Sequence, residues 1–178
     1  MRELLRLAAS VAGVVALATT AAAVLPDDIA PGTRVEVEGR IDSGGRIVAK
    51  EVELESTPSG IDGLEGRIDA LGAGADATRR LRVAGVEVVL EPDALVRDGD
   101  GDALDLRAMS IGQRAELEGQ FVEGVLRARA LEVEDMKPGK ADRVQLRGII
   151  TEVDGRDDTF QLLGVEVAVA SETKVEFD

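Results

Sequence analysis

The chain has 178 residues and a formal net charge of −14 at pH 7, with 35 acidic and 21 basic side chains. It contains no histidine, cysteine, tryptophan or tyrosine. Without histidine or cysteine the usual nucleophile–base pairs cannot form, and zinc, copper and haem sites lose their commonest ligands. An acidic surface with so few aromatic rings also excludes nucleic acid as a partner, because phosphate backbones are repelled and bases find no stacking platform.

The first predicted element is a targeting segment over residues 1–23. Arg2 and Arg6 precede an apolar run, Leu7–Leu25, and Ala21–Ala23 fits the small-residue pattern of a cleavage site. We therefore predict a cleaved signal peptide and an exported protein, periplasmic or extracellular. The alternative is a retained membrane anchor, since a run of this length can just span a bilayer. The absence of cysteine excludes a lipid-modified cysteine anchor and all disulfides.

The rest of the chain repeats itself unevenly. One pair of matching segments is Pro31–Glu55 and Ile111–Asp135, in which Gly32 and Gly39 fall on Gly112 and Gly119. A second match aligns Leu64–Leu71 and Leu81–Leu95 with Leu146–Val153 and Phe160–Lys174. The order along the chain is therefore the second half of a unit, a whole unit, and the first half of a unit.

Apolar and charged residues alternate through most of this repeated region, which is typical of half-buried β-strands. The clearest runs are Arg34–Glu38, Val52–Glu55, Ala115–Glu118 and Val165–Val169. Ser43–Gly45, Glu123–Gly124 and Asp154–Asp158 read as hairpin turns. An acidic loop with one helical turn is predicted over Pro92–Met109. The fold class is therefore all-β, with the N-terminal signal or anchor segment as its long helix.

The whole unit, 61–136, carries five or six short strands, which predicts a small closed barrel without exposed edges. The half units, 24–57 and 142–178, cannot each bury an apolar face, because an isolated sheet of two or three strands is marginal in water. We expect them to pair into a second barrel, with Thr57–Gly60 and Met136–Lys140 as the crossings. The alternative is that each half packs on the central barrel as an extra sheet.

The pattern of glycine and valine positions in these repeats resembles that of a bacterial family, domain of unknown function 5666. The matching motifs are Gly66–Ile68, Gly85–Val88, Ile111–Gly119 and Ala128–Val133, with partial copies at Gly32–Gly39, Gly148–Ile150 and Gly164–Val167. The resemblance implies export to the cell envelope and OB-like β-barrel repeats. It brings no known activity and no catalytic residues.

One group of residues has the chemistry of a metal site. Asp98, Asp100, Asp102 and Asp105 alternate with glycines, and carboxylates on a flexible loop can converge on calcium. The EF-hand pattern fails, because Ala103 stands where glycine is required and Met109 where glutamate is required. The alternative is a solvated acidic turn.

Taken together, the sequence predicts a non-enzymatic envelope module that binds a protein partner or has a structural role. No catalytic residue and no cofactor other than calcium is expected, and the membrane is a partner only through an uncleaved N-terminal segment. A calcium-dependent binding module is the first alternative. A hydrolase using carboxylates alone is the second, but pairs such as Glu36 with Glu38 and Glu132 with Glu134 share a polar strand face, which favours a solvated surface.

Overall fold

The computed structural model describes residues 25–56, 60–72 and 79–177. Its strands are β1 (Arg34–Ile41), β2 (Ile47–Leu54), β3 (Asp62–Leu71), β4 (Arg80–Val83), β5 (Val86–Asp98), β6 (Arg114–Val122), β7 (Val125–Glu134), β8 (Arg143–Asp154), β9 (Thr159–Leu162) and β10 (Val165–Phe177), and a 3₁₀ turn, Leu106–Ala108, precedes β6. The predicted all-β class is confirmed. The predicted helix over 1–23 lies outside the described residues.

The first ring of strands contains β1, β2, β10, β9 and β8. β1 pairs antiparallel with both β2 and β8, β2 pairs in parallel with β10, and β9 joins β10 to β8. The ring is therefore a closed barrel, built from two strands that precede the second ring in the chain and three that follow it. The second ring lies between these two groups in sequence.

The second ring has the same order of pairings in its own strands. β3 pairs antiparallel with β4 and β6, β4 pairs with β5, β5 runs parallel to β7, and β7 closes the ring through β6. The predicted closed β-barrel is confirmed. One detail of the prediction is wrong: β5 continues to Asp98 through the expected acidic loop, because after an interruption Leu95 resumes the ladder opposite Ala130.

The interior of each ring is filled by the apolar members of the alternating runs. In β1, Val35 and Val37 are fully buried, whereas Glu36 and Glu38 lie on the outer face, as the two-residue period of a strand requires. Phe160 is the largest fully buried side chain, and the remaining core is mainly valine, leucine, isoleucine and alanine. A ring of short strands can be filled in this way because the interior of a small barrel admits only side chains.

Matching β-bulges interrupt β1–β2 and β6–β7. The register shifts between Glu38 and Gly39 in the first ring and between Glu118 and Gly119 in the second. Glycine is required there because a Cβ at Gly119 would stand 2.1 Å from the carbonyl oxygen of Arg127. Each bulge leaves one extra residue on the facing strand, and in the first ring this residue is Lys50.

The two rings meet through a short antiparallel pairing of β3 with β8. Leu64 stands opposite Leu146, and these two residues also correspond in the sequence repeat. On either side of them Gly63 faces Arg147 and Glu65 faces Gln145. Because corresponding residues face each other, the contact between rings is locally close to twofold symmetric, and it joins all ten strands into one sheet.

A buried arginine reinforces this contact. Arg34 on β1 has a side chain only 5% exposed and forms ion pairs with Glu55 at 3.1 Å and with Asp62 of β3 at 2.9 Å. Its guanidinium also donates to the carbonyl oxygen of Ile61, and Asp62 accepts a hydrogen bond from the backbone N–H of Phe121 at 2.7 Å. The first ring is thus tied to the chain segment that enters the second.

Candidate functional site

A groove of about 740 Å³ runs along the outer face of the first ring, where β1 meets the start of β8. Its walls come from the ends of β1 and β2, from the turn before β8, and from Glu65 and Arg114 of the second ring. Charged side chains dominate these walls. We take this groove as the candidate site, because concave surfaces with convergent polar groups are where ligands bind.

Two arginines line the groove from facing strands. Arg40 of β1 and Arg143 of β8 stand directly opposite each other in the antiparallel ladder, and both side chains are exposed. Directly opposed side chains have Cβ atoms about 4.5–5.5 Å apart, so two like charges here repel each other. Neither guanidinium forms an ion pair or a side-chain hydrogen bond with the described residues.

Two lysines, Lys50 and Lys140, line the same groove. Lys50 is the extra residue of the β1–β2 bulge, so the bulge, which depends on Gly39, sets where its side chain leaves the strand. Lys140 belongs to the turn before β8, where its carbonyl oxygen accepts a hydrogen bond from the N–H of Arg143 at 3.2 Å. Within the described ranges these ammonium groups also lack an ion-pair partner.

Acidic side chains line the same groove. Glu38, Asp142 and Glu172 line it, and none of the three is in an ion pair with a described residue. Judged by the described residues, four cations and three carboxylates without an ion-pair partner therefore line one groove. Such a surface can bind a charged group of either sign. The arginine pair offers the most donors, because two planar guanidinium groups can donate several hydrogen bonds to one acceptor.

An arginine of the second ring, Arg114, also lines the groove, and its side chain is mostly shielded from solvent. Arg114 binds Glu65 through Nε and Nη2, whereas its Nη1 is buried and has no hydrogen-bond partner among the described atoms. A buried donor without an acceptor costs about 1–3 kcal/mol. The arginine at this end of the groove is therefore incompletely satisfied.

Next to the groove a row of carboxylates crosses three strands of the second ring. Glu116 lies opposite Glu65 on β3 and opposite Glu132 on β7. Burial raises the pKa of Glu116, and repulsion from Glu65, Glu132 and Glu118 raises it further. This row makes the surface beside the groove unfavourable for highly charged anions.

Comparison with known families assigns the chain. The model of the family described as domain of unknown function (DUF5666) matches residues 11–53, 65–132 and 147–178. The chain belongs to this family. Arg40 and Lys50 lie inside the segments that match DUF5666, whereas Lys140 and Arg143 lie between two of them. No curated protein and no solved structure matches the chain.

The aspartates predicted to bind calcium hold a turn together. Asp98 accepts hydrogen bonds through Oδ1 from the N–H of Asp100 at 3.1 Å and of Asp102 at 2.9 Å. Asp105 caps the 3₁₀ turn by accepting from the N–H of Arg107 at 2.9 Å. In the described ranges no three acidic side chains are grouped as a metal site would need. Calcium binding at Asp98, Asp100, Asp102 and Asp105 stays a prediction without geometric support.

The carboxylate pairs considered for hydrolysis lie on outer strand faces. Glu36 accepts a hydrogen bond from the side chain of Gln145, and Glu134 forms an ion pair with Lys137 at 3.6 Å. Glu132 lies opposite Glu116. These positions agree with the solvated polar face that strand alternation indicated.

The groove itself was missed by sequence reasoning. Arg40 and Arg143 are far apart in the chain, and only the register of β1 against β8 places them opposite each other. One signal was present: the alignment of Gly39 with Gly119 marked equivalent irregular positions in two strands. A bulge at Gly39 would have drawn attention to Lys50 on the facing strand.

Proposed function

We propose that this DUF5666 protein is a non-enzymatic exported module of the cell envelope, and that it binds its partner through the charged groove. One observation carries the proposal: one groove of an acidic protein is lined by four cations that have no ion-pair partner in the described part of the chain, Arg40, Lys50, Lys140 and Arg143. Unpaired charges on a concave surface are available to a ligand. A chain without histidine or cysteine supports binding rather than catalysis.

We further propose that both rings are OB-like barrels. In the second ring the spatial order β3-β4-β5-β7-β6, closed by β3 with β6, supports this assignment, as does the parallel pairing of β5 with β7. The first ring would be the same barrel split between the two ends of the chain. Five-stranded barrels of this kind commonly bind ligands on their outer surface, which is an argument by analogy with the fold.

Export is proposed on the N-terminal sequence alone. The basic residues Arg2 and Arg6, the apolar run and Ala21–Ala23 support a signal peptide, and the predicted cleavage follows Ala23. No helix in the described part of the chain is long and apolar enough to cross a membrane. The start of the mature protein, read by N-terminal sequencing, tests cleavage directly.

The binding role is tested by capture from a bacterial envelope extract. Immobilised wild-type protein is compared with a variant in which Arg40 and Arg143 are both changed to glutamate, and with a control variant, Arg156→Glu. Arg156 is an exposed residue of the β8–β9 turn, outside the groove. We expect one or more partners that bind wild type and control but not the groove variant. Equal capture by all three proteins would reject the groove as the binding surface.

A further inference from the structure

The arginine pair offers the donors that an oxyanion needs, since both residues line one groove from directly opposed positions. Arg40 and Arg143 are adjacent across the β1–β8 ladder, and each guanidinium is planar with donors that match a carboxylate or phosphate. In the absence of an anion the two like charges repel each other. An acceptor placed between them would satisfy donors of both side chains and remove that repulsion.

The surroundings favour a singly charged anion. Glu38, Asp142 and Glu172 line the same groove, and the whole chain carries a net charge of −14. A phosphate monoester at pH 7 carries about −1.5 to −2 charges, whereas a carboxylate ligand carries one. The acidic side chains of the groove therefore repel a phosphate monoester more strongly than they repel a carboxylate ligand. The acidic residues that oppose a phosphate can at the same time accept hydrogen bonds from donors of a carboxylate-bearing ligand.

We propose that Arg40 and Arg143 bind a carboxylate group of the ligand, with Lys50 and Lys140 adding positive charge around it. This inference rests on the proposed binding role of the groove and names its chemistry. The carboxylate can belong to a peptide C-terminus or to a sugar acid, and both present the same planar monoanion to the arginines.

The test is calorimetric titration of the purified chain at low salt with defined probes. Tri-alanine represents the peptide C-terminus and D-glucuronate the sugar acid, with tri-alanine amide and glucose as their uncharged counterparts. We expect at least one carboxylate to bind and its uncharged counterpart to fail. Binding of tri-alanine alone assigns a peptide, and binding of glucuronate alone assigns a sugar acid.

Variants link the binding to the arginines. Changing Arg40 and Arg143 together to glutamine is expected to weaken carboxylate binding by about tenfold or more, since hydrogen bonds to a charged group are lost. The control Arg156→Gln should bind like wild type. Thermal melting of each variant verifies folding, and the single variant Lys50→Gln, which changes neither arginine, should weaken binding less.

Several results overturn the inference. The inference is wrong if neither tri-alanine nor D-glucuronate binds, or if the double variant binds the carboxylate with unchanged affinity. It is also wrong if inorganic phosphate binds and neither carboxylate does. The proposed binding role fails separately, in the envelope-extract experiment. Capture of a partner by wild type together with no carboxylate binding would reject the ligand chemistry and leave the binding role in place.

Discussion

Arg34 is a buried cation at the contact between the rings. It is the one basic residue among the buried residues of the described chain, and its two partners, Glu55 and Asp62, have side chains only 16% and 14% exposed. Removing one member of a buried ionic group leaves the remaining charges without compensation. Loss of the Arg34 side chain is therefore expected to destabilise the folded state more than loss of an exposed arginine would.

We expect Arg34→Met to lower the free energy of unfolding by about 3–5 kcal/mol, because Glu55 and Asp62 then remain buried without a counter-charge. The matched control is Arg46→Met, which removes the exposed pair with Asp42 in the β1–β2 turn. Exposed pairs contribute about 0–1 kcal/mol. Urea denaturation of both variants measures how much each substitution lowers the free energy of unfolding. Equal losses in the two variants would show that the buried ion pairs contribute little to stability.

Glu116 provides a prediction about pH. Its pKa in the folded chain is raised above the ordinary value of 4.5, first by burial and then by the facing glutamates. A carboxyl whose pKa is higher in the folded state binds its proton more tightly there than in the unfolded chain. The protein therefore loses stability as the pH rises from the unfolded-state pKa through the folded-state pKa. At neutral pH the ionised group is therefore destabilising.

We expect Glu116→Gln to stabilise the protein at pH 7 by roughly 0.2–1 kcal/mol, the size of a typical cross-strand pair interaction, because like charges directly opposed in a sheet are destabilising. The gain should disappear well below pH 4.5, where the wild-type carboxyl is protonated as well. Glu166→Gln is the control, because Glu166 faces Gln161 and not a carboxylate. Melting curves between pH 3 and pH 7 would contradict this if the two variants behaved alike.

At the scale of elements, the bulges depend on glycine. Gly119 admits no Cβ, since the added carbon would overlap the carbonyl oxygen of Arg127 at 2.1 Å. The same position in the first ring, Gly39, would place a Cβ 2.6 Å from the carbonyl oxygen of Val48. Both rings therefore use the same sequence feature to bend a strand pair and re-aim one side chain.

Gly119→Ala should lower stability by about 1–3 kcal/mol, because the strands must separate to admit the methyl group. Gly155→Ala is the matched control: nothing stands within 4 Å of an added Cβ and the backbone there is not left-handed. Alanine at such a site is neutral or slightly stabilising. Chemical denaturation of the two variants would refute the account of the bulge if their stabilities agreed.

Most of the elements could be predicted from the sequence, because alternation directly reflects which strand face is buried. In the run Arg34–Glu38, for example, the apolar members Val35 and Val37 are buried, although Arg34 is buried as well. The long strand β5 was harder, because Pro92 and Asp93 interrupt the apolar pattern before pairing resumes at Leu95. Local polarity indicates a loop there, whereas pairing with β7 keeps the backbone extended.

The candidate site could not be predicted in the same way. Strand alternation tells which face of β1 Arg40 occupies, but the neighbour across the ladder depends on a pairing between opposite ends of the chain. The aspartates of Asp98–Asp105 show a second limit of pattern reasoning, although calcium binding there stays a prediction. Their pattern is typical of a metal loop, yet Asp98 places its carboxylate oxygen on backbone N–H groups of its own turn.

At the scale of the whole molecule, the central claim is that the two ends of the chain form one barrel. β1 obtains a partner from β8 and β2 from β10, so each end of the chain completes the other. The second ring contains all of its own strands within residues 62–134. Loss of one end should therefore unfold the other end and leave the second ring largely intact.

Amide hydrogen exchange on the chain truncated before Asp142 tests this claim most directly. We predict that amides of β1 and β2 lose protection by orders of magnitude relative to the full chain, because an isolated hairpin is marginally stable in water. Amides of β4 to β7 should remain protected. Retained protection over Val35–Leu54 in the truncated chain would contradict the split barrel.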